Sequence, residues 1–124
     1  MIPRYRAWLK EDKEMVDVEE INFFNGEFDF IGDAITWMCK SDDCVLMQST
    51  GLRDKDGKEI FEGDIVKMAK NVYSELTYYE VVRHRGGAYR LESKRYGCEL
   101  WLRHTDCEIA GNIWENPELL EVKQ

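Results

Sequence analysis

The chain has 124 residues and a formal net charge of −8 at pH 7, and its 44% of hydrophobic residues exclude the composition of a disordered protein. The sequence pI of about 4.8 argues against generic nucleic-acid binding, because phosphate contacts need clustered Lys and Arg. No apolar run approaches the ~20 residues that cross a bilayer, and residues 1–12 lack a signal peptide's apolar core, so we expect a cytoplasmic protein.

The N-terminal part alternates apolar and polar residues in short segments. Residues 4–10 follow a period of two, which predicts a first strand, and residues 15–23 predict a second β segment. Asn25-Gly26 is a turn signal, but the apolar residues around it suit a short helix as well as a strand. Residues 21–43 therefore stay open between helical and extended structure.

Two turn signals mark the centre of the chain. Lys55-Asp56-Gly57-Lys58 predicts a tight turn, since Asp tolerates the left-handed backbone and Gly adopts it without steric cost. Glu62-Gly63-Asp64 predicts a corner in which the Asp64 carboxylate binds backbone N–H groups. A β-branched strand, Ile65–Met68, enters the core directly afterwards.

The C-terminal part predicts further short strands at roughly ten-residue spacing, which is typical of a small β-barrel. Gly86-Gly87 predicts the turn of a hairpin between the first two of them. Asn116 and Pro117 are suited to be the N-cap and first residue of a helical turn. The predicted strands are Thr77–Arg83, Ala88–Leu91, Cys98–Leu102 and Glu108–Trp114.

Three blocks of the chain carry a family resemblance: Arg6-Ala7-Trp8, the run Leu46–Lys67, and Ile109–Leu120 with the sequence IAGNIWENPELL. In this order they resemble the YopX family of small phage and prophage proteins. The resemblance implies an SH3-like β-barrel in the C-terminal part, a phage or bacterial origin and no established activity. Residues 21–43 and 71–95 match nothing beyond a strand pattern. We interpret the following motif positions as structural: Gly51, Asp56, Gly57, Gly63, Asp64, Gly111, Asn112 and Pro117.

The sequence offers little support for catalysis, a cofactor or a metal. The two histidines, His84 and His104, have no nucleophile motif beside them, and the phosphate-binding glycine motifs are absent. The spacing of the cysteines does not give paired zinc knuckles, so we expect reduced thiols. The cysteines are Cys39, Cys44, Cys98 and Cys107.

One basic and aromatic segment stands out because the acidity is concentrated at the two ends of the chain. Its candidate binding residues are Arg83, Arg85, Tyr89, Arg90, Arg95 and Tyr96. On a hairpin, such residues could stack on bases and hold phosphates. The competing interpretation, which we favour, is an ordinary solvated surface on an acidic protein.

These patterns predict a mainly β protein, with α+β as the other possibility. We expect a β-rich segment over residues 1–48, with room for one short helix, and an SH3-like barrel over residues 49–124, or else a single unit over 1–124. The predicted function is non-enzymatic binding to, or assembly with, a phage or host protein, and homo-oligomers are possible. The alternative is nucleic-acid binding through residues 83–96.

Overall fold

The computed structural model describes residues 4–69, 75–94 and 96–121. The protein is mainly β, with 56% strand and 14% helix, and one of its sheets curls into a half-barrel. This confirms the predicted fold class, whereas the SH3-like assignment stays a prediction. The strands in the described ranges are β1 Tyr5–Leu9, β2 Glu14–Val18, β3 Ile21–Phe24, β4 Glu27–Gly32, β5 Met38–Lys40, β6 Cys44–Arg53, β7 Glu59–Phe61, β8 Asp64–Ala69, β9 Leu76–Arg83, β10 Tyr89–Glu92, β11 Gly97–Glu99 and β12 Glu108–Asn112.

The chain divides into two compact units, Met1–Ser49 and Thr50–Gln124. In the first unit, β1 pairs antiparallel with β2 on one side and with the start of β6 on the other. A second sheet has the order β3-β4-β5. Ala7, Ile31 and Cys44 form the buried centre of this unit, surrounded by half-buried side chains from the neighbouring strands.

Residues 21–43, which the sequence left open, are largely extended. They form β3, β4 and β5, followed by a single 3-10 turn at Ser41–Asp43. Asn25 and Gly26 both have positive φ, of 53° and 80°, and join β3 to β4 as the turn signal predicts. The helical alternative for this stretch is therefore wrong except for the short 3-10 turn.

The second unit contains an antiparallel sheet of order β11-β10-β9-β8-β12. Alternation along each strand points one face towards the buried core. That core consists of Ile60, Val66, Met68, Tyr79, Val81, Leu91, Leu100 and Cys107. A 3-10 turn at Pro117–Leu120 contacts β9.

The predicted strand Cys98–Leu102 is only half right. The backbone is extended through β11 and then forms a short helix, α1, at Leu100–Arg103. Leu100 is fully buried while Trp101 and Leu102 are exposed. A strand would place Leu100 and Leu102 on the same face, whereas a helical turn places them on different faces, so that Leu100 is buried and Leu102 is exposed. The local pattern was too short to separate the two periods.

Candidate functional site

The glycine-asparagine motif near the C-terminal end and the glycine-aspartate motif at the centre meet in one corner of the second unit. Asp64 lies opposite Asn112 in the β8–β12 ladder, and the N–H of Ile113 donates to the carbonyl oxygen of Gly63 at 2.9 Å. Gly63 has φ of 88°, which favours glycine, and its N–H donates to the oxygen of Val81. The two motifs therefore hold each other in place.

Side-chain hydrogen bonds complete this corner. The N–H of Phe61 donates to Asp64 Oδ2 at 2.8 Å, as the sequence predicted for the Asp64 carboxylate. Asn112 Oδ1 accepts from the N–H groups of Trp114 and Glu115. Asn116 occupies the N-cap position before Pro117, as predicted, but its side chain makes no capping hydrogen bond, because its Oδ1 accepts from the N–H of Asn112.

The remaining motif residues also have structural positions. Gly51 has φ of 77° within β6, and Gly57 has φ of 82° in the predicted turn. Asp56 is exposed and donates its N–H to Asp54. A Cβ at Gly111 would overlap the Asn116 side chain, and Pro117 begins the last 3-10 turn. Each of these residues lies in a strand or turn of the second unit.

Asp54 was missed by the sequence reasoning and is the most buried carboxylate of this region apart from Asp64. Its Oδ1 accepts from the N–H groups of Asp56 and Lys58, and its Oδ2 accepts from Ile109 at 2.9 Å. Burial raises the pKa of Asp54, but the three N–H donors outweigh burial and leave the pKa below its ordinary value. A short polar residue before the turn was the available signal, since such residues bind turn amides.

The basic hairpin forms as predicted, with β9 and β10 antiparallel and Arg83 opposite Tyr89. Tyr89 packs against the buried core, so its ring does not lie on the outer face of the sheet with Arg90. Tyr96 is exposed in the turn between β10 and β11. Arg83 is exposed at the end of β9. The hairpin thus divides its aromatic residues between core and surface.

Carboxylates neutralise part of the hairpin's charge. Arg90 forms an ion pair with Glu99 on β11, and its Nε lies 3.6 Å from Glu92. His84 Nε2 lies 2.8 Å from Glu92 Oε1. The side chain of Arg85 and the whole of Arg95 lie outside the described residues. A role of these arginines in phosphate binding stays a prediction.

Two buried cysteines and one histidine of the chain have well-defined surroundings. Burial, followed by the neighbouring thiol of Cys39, raises the pKa of Cys44 to about 11, and burial raises the pKa of Cys107 to about 12. His104 Nδ1 lies 2.7 Å from the carbonyl oxygen of Arg53. Among residues 4–69, 75–94 and 96–121, no three His, Cys, Asp or Glu side chains are grouped as metal ligands.

Large apolar side chains exposed to solvent are the clearest surface feature. In the second unit these side chains are Leu76, Tyr96, Trp101 and Leu102, and in the first unit they are Phe23, Phe24, Ile35, Trp37 and Met38. Apolar side chains grouped on a surface often mark contact sites. Among the aromatics of residues 25–43, which the sequence favours as core, Phe28 packs against the buried centre of the first unit, whereas Trp37 is exposed.

The fold and its internally bonded motifs define a class of small, mainly β proteins. The chain belongs to the YopX family, whose model, described as YopX protein, matches residues 4–121. No helix within the described ranges has the length and apolar character that a membrane span requires.

Two solved structures are similar to the chain over nearly its whole length. Protein EF1440 from Enterococcus faecalis is 31% identical, with a TM-score of 0.65, over 98% of this chain and 99% of that one. Protein yopX from Bacillus subtilis is 23% identical, with a TM-score of 0.68, over 95% and 98% of the two chains. No curated protein matches the chain. The family and fold are thus established.

Proposed function

We propose that this protein is a non-catalytic protein-binding or assembly module of phage or prophage origin that works in the bacterial cytoplasm. The observation that carries the proposal is the set of exposed large apolar side chains on the first unit, which has five of them among the described residues 4–49. Aromatic side chains and Met are enriched at protein interfaces, and Trp and Tyr are frequent among the residues that dominate binding energy. The partner is a phage or host protein, or a second copy of the chain.

Several contacts support a binding role over a chemical one. The buried thiols have raised pKa values, which makes them poor nucleophiles. Residues of the family motifs, such as Gly63 and Asn112, make hydrogen bonds to the backbone of the scaffold. A rigid scaffold with exposed apolar elements is suited to recognition, because little conformational entropy is lost on binding.

The proposal can be tested by pull-down from induced host cells, with Phe23→Ser/Phe24→Ser as the variant and Leu76→Ser, at an exposed aliphatic residue of the second unit, as the control. A partner retained by wild type and by the control but lost from the double variant is the expected result. Sedimentation of the purified proteins tests self-association on the same variants. A chain that recovers no partner and stays monomeric at every concentration contradicts the proposal.

A parallel measurement tests nucleic-acid binding. At ~20 mM salt the Debye length is roughly 20 Å, so attraction to phosphates is least screened. We expect no binding to single-stranded DNA or RNA, because the net charge of −8 repels a polyanion and Arg90 already pairs with carboxylates. Micromolar, salt-sensitive binding lost on Arg83→Glu/Arg85→Glu would replace the proposed function with the alternative.

A further inference from the structure

The loop between β4 and β5 is held in one conformation by a single carboxylate. Asp33 Oδ1 accepts from the N–H groups of Ile35 at 2.8 Å, Thr36 at 2.7 Å and Trp37 at 3.3 Å. Asp33 Oδ2 accepts from the Thr36 hydroxyl at 2.6 Å. These donors, with the Thr36 hydroxyl first, hold the pKa of Asp33 well below its ordinary value. The carboxylate is therefore charged at neutral pH, and its hydrogen bonds to the loop are in place.

The backbone of this loop is tightly constrained. Ala34 has φ of 65°, a left-handed conformation that a residue with a Cβ rarely adopts. Its N–H donates to the carbonyl oxygen of Trp37 at 3.2 Å. Gly32 has φ of 100°, and a Cβ there would overlap the backbone of Trp37. Strained backbone of this kind persists only where the surrounding bonds fix it.

This fixed loop presents apolar side chains to solvent. Ile35 is 90% exposed at its tip, and Trp37 and Met38 are exposed on its return to β5. An apolar residue at a loop tip gains nothing from folding, because folding does not remove it from water. A loop ordered before binding does, however, avoid the entropy cost of ordering at an interface. Trp side chains are enriched among interface residues that dominate binding energy.

The charge around the loop restricts what can cover it. Residues 14–39, which include the loop, contain seven Asp and Glu and no Lys or Arg, and Lys40 follows directly at the end of β5. The N–H of Gly32 donates to the carbonyl oxygen of Glu20 at 3.0 Å, so the connection carrying Glu19 and Glu20 lies beside the loop. A polyanion or an anionic membrane would be repelled from such a surface. A partner with basic residues around an apolar patch is complementary to it.

We propose that the Asp33 loop, defined as Gly32–Met38, is a docking site for a protein segment that carries apolar side chains flanked by Lys or Arg. This inference rests on the proposed function and assigns it a surface and a partner chemistry. Ile35 and Trp37 insert between the partner's apolar side chains, Asp33 holds their backbone, and the neighbouring carboxylates attract the basic rim.

Three synthetic peptides serve as probes, titrated against the whole chain by calorimetry. One alternates Leu with Lys, one alternates Ser with Lys, and one alternates Leu with Glu. We expect the Leu/Lys peptide to bind, and the Ser/Lys and Leu/Glu peptides to bind at least ~10-fold more weakly, because each lacks one half of the complementarity. Equal affinity for the Leu/Lys and Ser/Lys peptides would overturn the inference, since simple charge attraction would then explain the binding.

Variants locate the binding on the loop. Ile35→Ser should weaken Leu/Lys binding at least ~10-fold, whereas Leu76→Ser, which changes an exposed aliphatic residue of the second unit, should leave it unchanged. Asp33→Ala should weaken binding and speed hydrogen exchange at the amides of Ile35, Thr36 and Trp37, with the rest of the exchange pattern preserved. Accelerated exchange with an unchanged affinity for the Leu/Lys peptide would show that the hydrogen bonds of Asp33 play no part in binding.

The outcomes separate this inference from the proposed function. If Phe23→Ser/Phe24→Ser removes a cellular partner while Ile35→Ser retains it, protein binding stands and the Asp33 loop is excluded as the docking site. If Ile35→Ser loses both the cellular partner and the Leu/Lys peptide, both proposals are supported. If no peptide binds and no partner is recovered, both are wrong.

Discussion

The carboxylate of Asp54 and the backbone of Ile109 are joined by a hydrogen bond of 2.9 Å, although the two residues are 55 positions apart. The same carboxylate binds two amides of its own turn, so one side chain fixes the turn and attaches it to β12. In addition, the N–H of Lys55 donates to the carbonyl oxygen of Cys107. The turn between β6 and β7 is therefore a structural junction of the second unit.

Replacing Asp54 tests this junction. Asp54→Ala removes the acceptor of three part-buried hydrogen bonds, and we expect a loss of about 2–4 kcal/mol in the free energy of unfolding. Asp56→Ala, which alters an exposed carboxylate in the same turn, is the control and should change it by less than about 1 kcal/mol. Urea denaturation measures both. Equal effects of the two substitutions would contradict the assignment.

The pH dependence of stability follows from the lowered pKa of Asp54. The folded chain holds this carboxyl ionised below the ordinary value of 3.8, so the unfolded chain binds the proton more readily. The stabilisation is present above pH 3.8 and is lost as the pH falls through the folded-state pKa. Between pH 2 and 5, the free energy of unfolding should therefore change more steeply with pH for wild type than for Asp54→Asn. Parallel profiles would exclude this linkage.

Glu80 should affect the pH dependence of stability in the opposite direction to Asp54. Burial, and then repulsion from Glu92 directly opposite in the ladder, raise the pKa of Glu80 above 4.5. A raised carboxyl pKa means that stability falls as the pH rises from 4.5 through the folded-state pKa. Glu80→Gln should then stabilise the chain at pH 7 by a few tenths to about 1 kcal/mol. Thermal melts at pH 4.5 and 7, with Glu27→Gln as control, measure the gain, and a loss at pH 7 would count against it.

Sequence reasoning found the local features of the fold and missed those that depend on distant partners. The turn at Gly57 and the corner at Asp64 were predicted because their hydrogen bonds close within a few residues. Asp54 was missed because the residue that makes it a junction, Ile109, is far away in sequence. The exposure of Ile35 was not predicted, because an apolar residue carries no local sign that it will lie at a loop tip.

The corner before β8 depends on the left-handed backbone of Gly63. Gly63→Val places a β-branched side chain at φ of 88°, and we expect a loss on the order of 1–3 kcal/mol in the free energy of unfolding. Gly63→Asn is the matched variant and should lose less, because Asn tolerates the left-handed region. Chemical denaturation compares the two. A denaturation curve of Gly63→Val that superimposes on that of wild type would show that the corner does not contribute to stability.

The four cysteines should behave as free thiols. Without reductant, we expect a thiol reagent to titrate four groups in the denatured chain and to react slowly with Cys44 and Cys107 in the native chain, because both are buried with raised pKa values. Elemental analysis should find no stoichiometric zinc. One zinc per chain, or fewer than four thiols after denaturation, would be the contrary result.

The strand order of the second unit has a kinetic consequence. β8, β9, β10 and β11 are neighbours in both sequence and space, and such hairpins form in microseconds. β12 must instead close a loop of some forty residues before it pairs with β8. During refolding, amides of β9 and β10 should therefore gain protection before that of Ile109. Asp54, as the acceptor for the Ile109 amide, then determines how slowly the closed sheet reopens at its β12 edge.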